Sequence, residues 1–278
     1  MFARLLSISK PREQAIYLLC GCAGTRIGQA LSLTRDDYNY ETREVFIVDP
    51  LSDETGPSGT LGRHRLLSQK YQINMEKTPY KYLACKYPIP LQYTELLWVD
   101  ESFKYNFLKV LTKVNKGSPS INGHPFIFQT KSGKILTPNE AYRTFRSKVE
   151  KLIKIVNDEW QIEKQSLPIT SHPDLRERYS YLLRQLKKVK GPHSLRHMYA
   201  IIWADYAAIH PDLNINELEL LCQFGMGQKS RSSVQQYFTL RQQSRKILIN
   251  KLLNTSQSPT DNIQSKISQI KKHYERKI

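Results

Sequence analysis

Apolar residues recur every three to four positions through much of this chain, and the residues flanking those runs mark helix starts and stops. The segment 11–24, PREQAIYLLCGCAG, opens on Pro11 at a first-turn position, sets Ile16, Leu19 and Ala23 on one face and closes at Gly24. It predicts a short buried helix. Segment 137–156 carries the clearest signal: Thr137 as N-cap, Pro138 after it, Glu140 completing a capping box, then Tyr142, Phe145, Val149, Leu152 and Val156 in one stripe. Leu96, Phe103, Phe107, Val110 and Val114 predict one or two further helices.

Elsewhere the pattern is that of strands. REVFIVD at 43–49 reads as one, the runs at 69–91 around Pro79 predict a hairpin, and HPFIFQTKSGKILT at 124–137 predicts a short strand leading to a turn. The expected fold class is therefore α+β, mostly α-helical, with a small antiparallel β-sheet. Segment 158–190 is polar, contains two prolines and ends in the basic run DLRERYSYLLRQLKKVK, so it reads as an inserted excursion. The expected organisation is one domain over 1–254, followed by a Ser/Gln/Lys-rich tail at 255–278 that forms a mobile arm or a docking helix.

Composition adds a partner. The 278 residues, 40% of them hydrophobic, suffice for a sizeable core, while 42 Lys and Arg against 25 Asp and Glu leave a net charge of +17. Excess positive charge on this scale attracts polyanions, nucleic acid first. The clusters Arg63, His64 and Arg65, then Lys187, Lys188 and Lys190, then Lys271 and Lys272 read as backbone contacts that steer DNA, or as solvated faces. Cys20, Cys22, Cys85 and Cys222 show neither CxxC nor zinc-finger spacing, so they read as reduced thiols of a cytosolic protein. The apolar stretch after Met1 is too short for a signal peptide, and no segment approaches a membrane span.

Candidate chemistry begins at GPHSLRH, residues 191–197. Residues three and four apart share a helix face, so His193, Arg196 and His197 can present two imidazoles and a guanidinium to one point. Gly191 and Pro192 put that point at a helix start, where free backbone N–H groups favour an anion such as phosphate. The same pentapeptide also fits a solvated helix start with one histidine packed inside. Two other places carry matching groups. Arg26 follows Gly24 and Thr25 at a helix-to-helix turn, and a Gly225/Gly227 turn leads through a basic, hydroxyl-rich segment to Tyr237. Among the 16 tyrosines, Tyr199 and Tyr206 read as core.

These three places, in this order, resemble the tyrosine recombinase (phage integrase) family. AGTRIGQALSL at 23–33 is similar to that family's Thr-Gly-Leu-Arg-Ile-Ser-Glu-Leu box, and HSLRH at 193–197 to its His-x-x-Arg-His box. FGMGQKSRSSVQQYF at 224–238 resembles the Leu-Gly-His-Ser segment that runs to the nucleophile, with the family's nine-residue step kept from Gln228 to Tyr237. PFIFQTKSGKILTPNEAYRTF is similar to the Leu-Phe-Pro strand and the helix after it, and the resemblance spans about residues 11–253. Two positions depart from the pattern. Gln228 stands where the family has His or Trp, and Gln29 where an acidic residue is usual.

The resemblance implies site-specific cleavage and rejoining of double-stranded DNA, as by an integrase of a mobile element, without metal, ATP or other cofactor. It makes Tyr237 the nucleophile, Arg26 and Arg196 the cations on the phosphate, His193 the group that accepts or orients the tyrosine proton, and a hairpin lysine the acid for the leaving 5′ oxygen. Lys77 and Lys81 both fit that last role, and Lys77 is preferred because EKT resembles the family's Lys-Thr-Gly turn. Gln228 can donate a hydrogen bond to phosphate but cannot transfer a proton. The implied setting is cytoplasmic, bacterial or phage-derived and nucleoid-associated. The implied assembly is a tetramer on two duplexes, completed by a separate helical DNA-clamping domain in a longer chain or by a partner protein. Type IB topoisomerase-like relaxation and a catalytically weakened DNA-binding relative remain as alternatives.

Overall fold

The capping residues at 10–13 and 137–140 set the start of two helices around which the larger core is laid. In the computed structural model the described residues are 1–53, 62–85, 95–117, 123–168, 172–210 and 213–254. Their α-helices of five residues or more are α1 (Phe2–Ser7), α2 (Pro11–Cys22), α3 (Ile27–Leu31), α4 (Glu101–Gly117), α5 (Pro138–Ser166), α6 (His172–Lys188), α7 (His193–Ile209), α8 (Ile215–Gly225) and α9 (Ser232–Asn254). The tail at 255–278 and the end of the expected hairpin, Ile89 to Leu91, lie outside the described residues.

The α5 cap forms as the sequence implies. Thr137 Oγ1 accepts from the Glu140 N–H at 3.3 Å, and the Glu140 carboxylate accepts from the Thr137 N–H at 2.9 Å. Phe145, Val149, Leu152 and Val156 are buried along its inner face. The helix does not stop at 156, however. It runs on to Ser166, and the segment read as an excursion pairs its last turns with α6 in a helical hairpin, where Trp160 lies against Tyr179 with ring centroids 5.4 Å apart. The polar residues of 158–166 concealed this continuation, because a helix with one solvated face needs few apolar positions.

Helix α2 is buried on nearly every side, from Ala15 to Cys22, and packs against both α4 and α7. A second, smaller core joins α7, α8 and α9 through Tyr199, Ala200, Ala204, Leu218, Cys222, Val234 and Phe238. Tyr199 is fully buried as expected, but Tyr206 is 40% exposed and belongs to the surface.

The expected β-sheet is not formed among the described residues. What stands there is a set of isolated antiparallel bridges, Tyr38 with Val45, Phe46 with Glu95, Thr34 with Phe126, and Gln129 with Ile135. Competing local bonds account for the difference at 69–85. Asn74 takes the Glu76 N–H on its side chain at 2.8 Å and the Lys77 N–H on its carbonyl at 3.2 Å, and Lys81 N–H returns to Lys77 O at 3.1 Å. The chain there turns, then closes a 3₁₀ turn at Tyr80–Leu83 instead of pairing. Within the cluster at 63–65, His64 and Arg65 are solvated and Arg63 departs from expectation. Arg63 is buried and forms a two-pronged ion pair with buried Asp37, so it holds the fold and does not face DNA.

One close approach brings the ends of α2 and α8 together. The Tyr199 ring fills the space between Gly24, whose φ of +68° lets the chain leave α2, and Gly225 at the end of α8. A Cβ at Gly225 would overlap the Tyr199 hydroxyl and come within 3.0 Å of its Cζ. Gly225→Ala is therefore expected to destabilise the protein by about 1–3 kcal/mol in urea unfolding, the usual cost of overpacking. Adding Tyr199→Phe, which removes the overlapping oxygen, is expected to recover part of that loss. Additive effects of the two changes would contradict this packing.

Candidate active site

Arg196 lies on the inward side of α7, one turn from the helix start, and is 1% exposed. Its Nη1 donates to Gly24 O at 2.7 Å and its Nη2 to Met226 O, so a single guanidinium joins the turn after α2 to the turn after α8. Nε has no hydrogen-bond partner, and among the described residues no carboxylate pairs with this cation. Burial, then the nearby Arg26 charge, pushes its pKa down to about 9, and it stays charged at neutral pH.

Arg26 arrives from the other side. It precedes α3, and its backbone N–H donates to Gln29 Oε1 at 2.8 Å, so Gln29 shapes the turn that holds the arginine. Its guanidinium reaches Gly227 O at 3.1 Å and Gln228 Oε1 at 3.5 Å. Gly227, with φ +53°, forms the bend that exposes its carbonyl. The Gln228 backbone is held in turn by Gln223, whose carbonyl accepts the Gln228 N–H at 3.0 Å and whose amide donates to Gln228 O at 3.1 Å.

Tyr237 sits half-buried on α9, behind Val234 and beside Phe238, which anchor that helix in the smaller core. Two ion pairs fasten α9 on either side of it. Arg231, at the helix entrance, bonds the buried carboxylate of Glu219 on α8 through Nε at 2.7 Å and also reaches Asn216. Arg241 grips Asp205 on α7 with Nε at 2.6 Å and Nη2 at 3.0 Å. Sequence reasoning missed both pairs, because partners 12 and 36 residues apart leave no local pattern.

The phenol of Tyr237 is hydrogen-bonded to His197 Nδ1, with the two rings 5.7 Å apart. His193 packs edge-on against His197, ring centroids 4.6 Å apart. The contact to the tyrosine is thus made by the second histidine of HSLRH and not by His193, to which the sequence reading gave it. Spacing could have suggested this, since His197 is one helical turn further along the same face. Burial lowers the pKa of both imidazoles, helped by His197 and both arginines at His193 and by Arg196 at His197, so both are neutral at pH 7. Burial raises the Tyr237 phenol above its usual value.

The helix start itself differs from expectation. Ser194 N–H bonds Gly191 O at 2.9 Å and Leu195 N–H bonds Pro192 O at 3.0 Å, so these donors are used internally and side chains supply the positive charge. Lys77 and Lys81 are both exposed and make no described contact with the cluster. Lys81 Nζ lies 5.4 Å from the Tyr82 ring centroid. Their segment does pack on α3, where a Cβ at Gly28 would come within 2.8 Å of Tyr82 O. Cys20, Cys22 and Cys222 are buried free thiols; burial pushes Cys20 and Cys222 up to about 12 and Cys22 still higher, so none is a nucleophile here.

No protein-family profile matches the chain, and no curated protein is significantly similar to it. Among solved structures, it is similar to the Tn1549 transposon integrase in complex with circular intermediate DNA, at 17% identity, 84% of this chain covered and a TM-score of 0.44. It is also similar to the XerH site-specific recombinase in a post-cleavage complex with its palindromic difH substrate, at 15% identity, 89% of this chain covered and a TM-score of 0.47. The chain spans about half the length of these structures, 57% of the integrase and 49% of the recombinase.

Proposed function

We propose that this chain cleaves and rejoins DNA at specific sites through a covalent 3′-phosphotyrosine on Tyr237. The observation that carries the reading is Arg196, a buried cation held by main-chain carbonyls with no carboxylate partner among the described residues, set beside a second guanidinium, two imidazoles and a half-buried phenol. An uncompensated buried charge costs several kcal/mol, and a phosphate is the anion that this surrounding set can also process. The motif order in the sequence supports the same reading.

In this mechanism Arg26 and Arg196 stabilise the charge that grows on the non-bridging oxygens as phosphorus becomes five-coordinate. His193 and the amide of Gln228 donate to the same oxygens. Tyr237 attacks in line, the 5′ oxygen leaves with a proton from Lys77, and a 3′-phosphotyrosine remains. That ester keeps the energy of the broken bond, so the 5′ hydroxyl of a second strand can reverse the step without nucleotide hydrolysis. The net charge of +17 holds the duplex. Four copies on two duplexes, with a DNA-clamping domain or partner, would complete strand exchange.

The test is covalent capture on a pool of nicked duplexes of random sequence, with adducts isolated under denaturing conditions. Wild type is expected to trap a subset of sequences and Tyr237→Phe none, while Arg26→Ala and Arg196→Ala should each slow capture by about 10²–10³-fold. Binding without adducts would leave a DNA-binding relative, and relaxation of any supercoiled circle without recombinants would leave a topoisomerase. Tyr237→Phe is also expected to bind the captured sequence as wild type does, with affinity falling steeply and log-linearly as salt rises. Salt-independent binding would contradict a phosphate-directed surface.

A further inference from the structure

Two histidines flank Arg196 on one face of α7, and they are not equivalent. His193 stands at the helix start, where the charges of both guanidiniums act on it, and its ring packs edge-to-face with the other imidazole. His197, one turn on, holds the Tyr237 hydroxyl in a hydrogen bond at Nδ1. A group that removes a proton must lie within hydrogen-bond reach of it, and of the two only His197 does.

We propose that His197 is the general base for Tyr237: its Nδ1 takes the phenol proton as the tyrosine oxygen attacks phosphorus. This rests on the strand-transfer reading above and names the proton's destination within it. The Oη–phosphorus bond forms, the phosphorus–O5′ bond breaks, and the electron pair leaves on O5′, which is protonated by the separate acid. His197 is then an imidazolium. On rejoining, a 5′ hydroxyl gives its proton back to that acid and attacks phosphorus, the phosphorus–Oη bond breaks, and His197 returns its proton to the leaving phenolate. No oxidant, metal or further reactant enters.

The surroundings suit a base that works near neutrality. The charged or titratable groups facing His197 are His193 and Arg196 on its own helix and Tyr237 on α9. Partial burial, then the Arg196 charge, favours the neutral, proton-accepting ring, so protonation comes only below the ordinary range near 6.5. For Nδ1 to accept, the ring proton must sit on Nε2. The phenol, raised by burial, would by itself be almost wholly protonated at neutral pH.

Asparagine is the informative replacement, because its amide reaches the place of Nδ1 and can hold the hydroxyl but cannot take a proton. Using the full chain and a nicked duplex from the capture pool, His197→Asn is expected to bind DNA as wild type does but form the adduct about 10²–10⁴-fold more slowly at pH 7. The wild-type rate should be flat through neutral pH and fall below about pH 6.5 as the imidazole protonates. The His197→Asn rate should instead climb about tenfold per pH unit toward the phenol's own ionisation. His193→Asn should slow the reaction yet keep the wild-type pH profile. An unchanged rate in His197→Asn, or the plateau lost in His193→Asn and kept in His197→Asn, would overturn the assignment while leaving strand transfer intact. Absence of any wild-type adduct would defeat strand transfer and this role together. The contact itself can be read without DNA: nitrogen NMR should place the His197 proton on Nε2, with the Nδ1 resonance moving in Tyr237→Phe. A resonance indifferent to that change would refute the pairing.

Discussion

The fold of the site depends on one buried guanidinium. Arg196 has been taken out of water without an acidic partner, and the carbonyls of Gly24 and Met226 take over part of its solvation. Those carbonyls terminate two different helices, α2 and α8, so the same bonds that make the charge tolerable bring the two turns together. Arg26 leaves one of these turns and Gln228 the other, and they meet at 3.5 Å. The residual positive potential follows directly, because carbonyl dipoles shield a cation without cancelling it.

Tyr199 is the steric counterpart of this arrangement. Its ring packs against both Gly24 and Gly225, and its hydroxyl donates to Leu97 O at 3.0 Å, so the residue that follows the His-Ser-Leu-Arg-His run by two positions braces the two turns that Arg196 joins. Helix α7 thus supplies the cation, its spacer and both imidazoles within seven residues, 193–199. This density explains why so short a stretch of sequence could announce a site.

What could be read from the sequence followed from locality. The caps at Thr137 and Lys10–Glu13 are written within four residues, and both helices begin where those residues imply. The convergence of Arg26, Arg196 and the segment through Tyr237 was legible only as an ordered set of motifs, since no short-range rule links residues two hundred positions apart. The expected sheet is not formed among the described residues, and local turns compete with it: Asn39, ahead of the run at 43–49, takes the Glu41 N–H, and Asn74, within 69–85, takes the Glu76 N–H. Arg63 looked like a surface charge because its partner, Asp37, lies 26 residues away. The identity of the histidine that meets Tyr237 was likewise a question of which turn faces α9, and only three-dimensional packing answers it.

The two carboxylates that hold α9 give this helix an unusual mechanical standing. Glu219 is buried and Asp205 sits in a two-pronged grip, one on each neighbouring helix, with Tyr237 between their points of attachment. An outward swing of the nucleophile works against Arg231 on a buried acid and Arg241 on a partly exposed one. The tyrosine is therefore moored at both ends, by ionic latches as well as by the apolar contacts of Val234 and Phe238 beneath it.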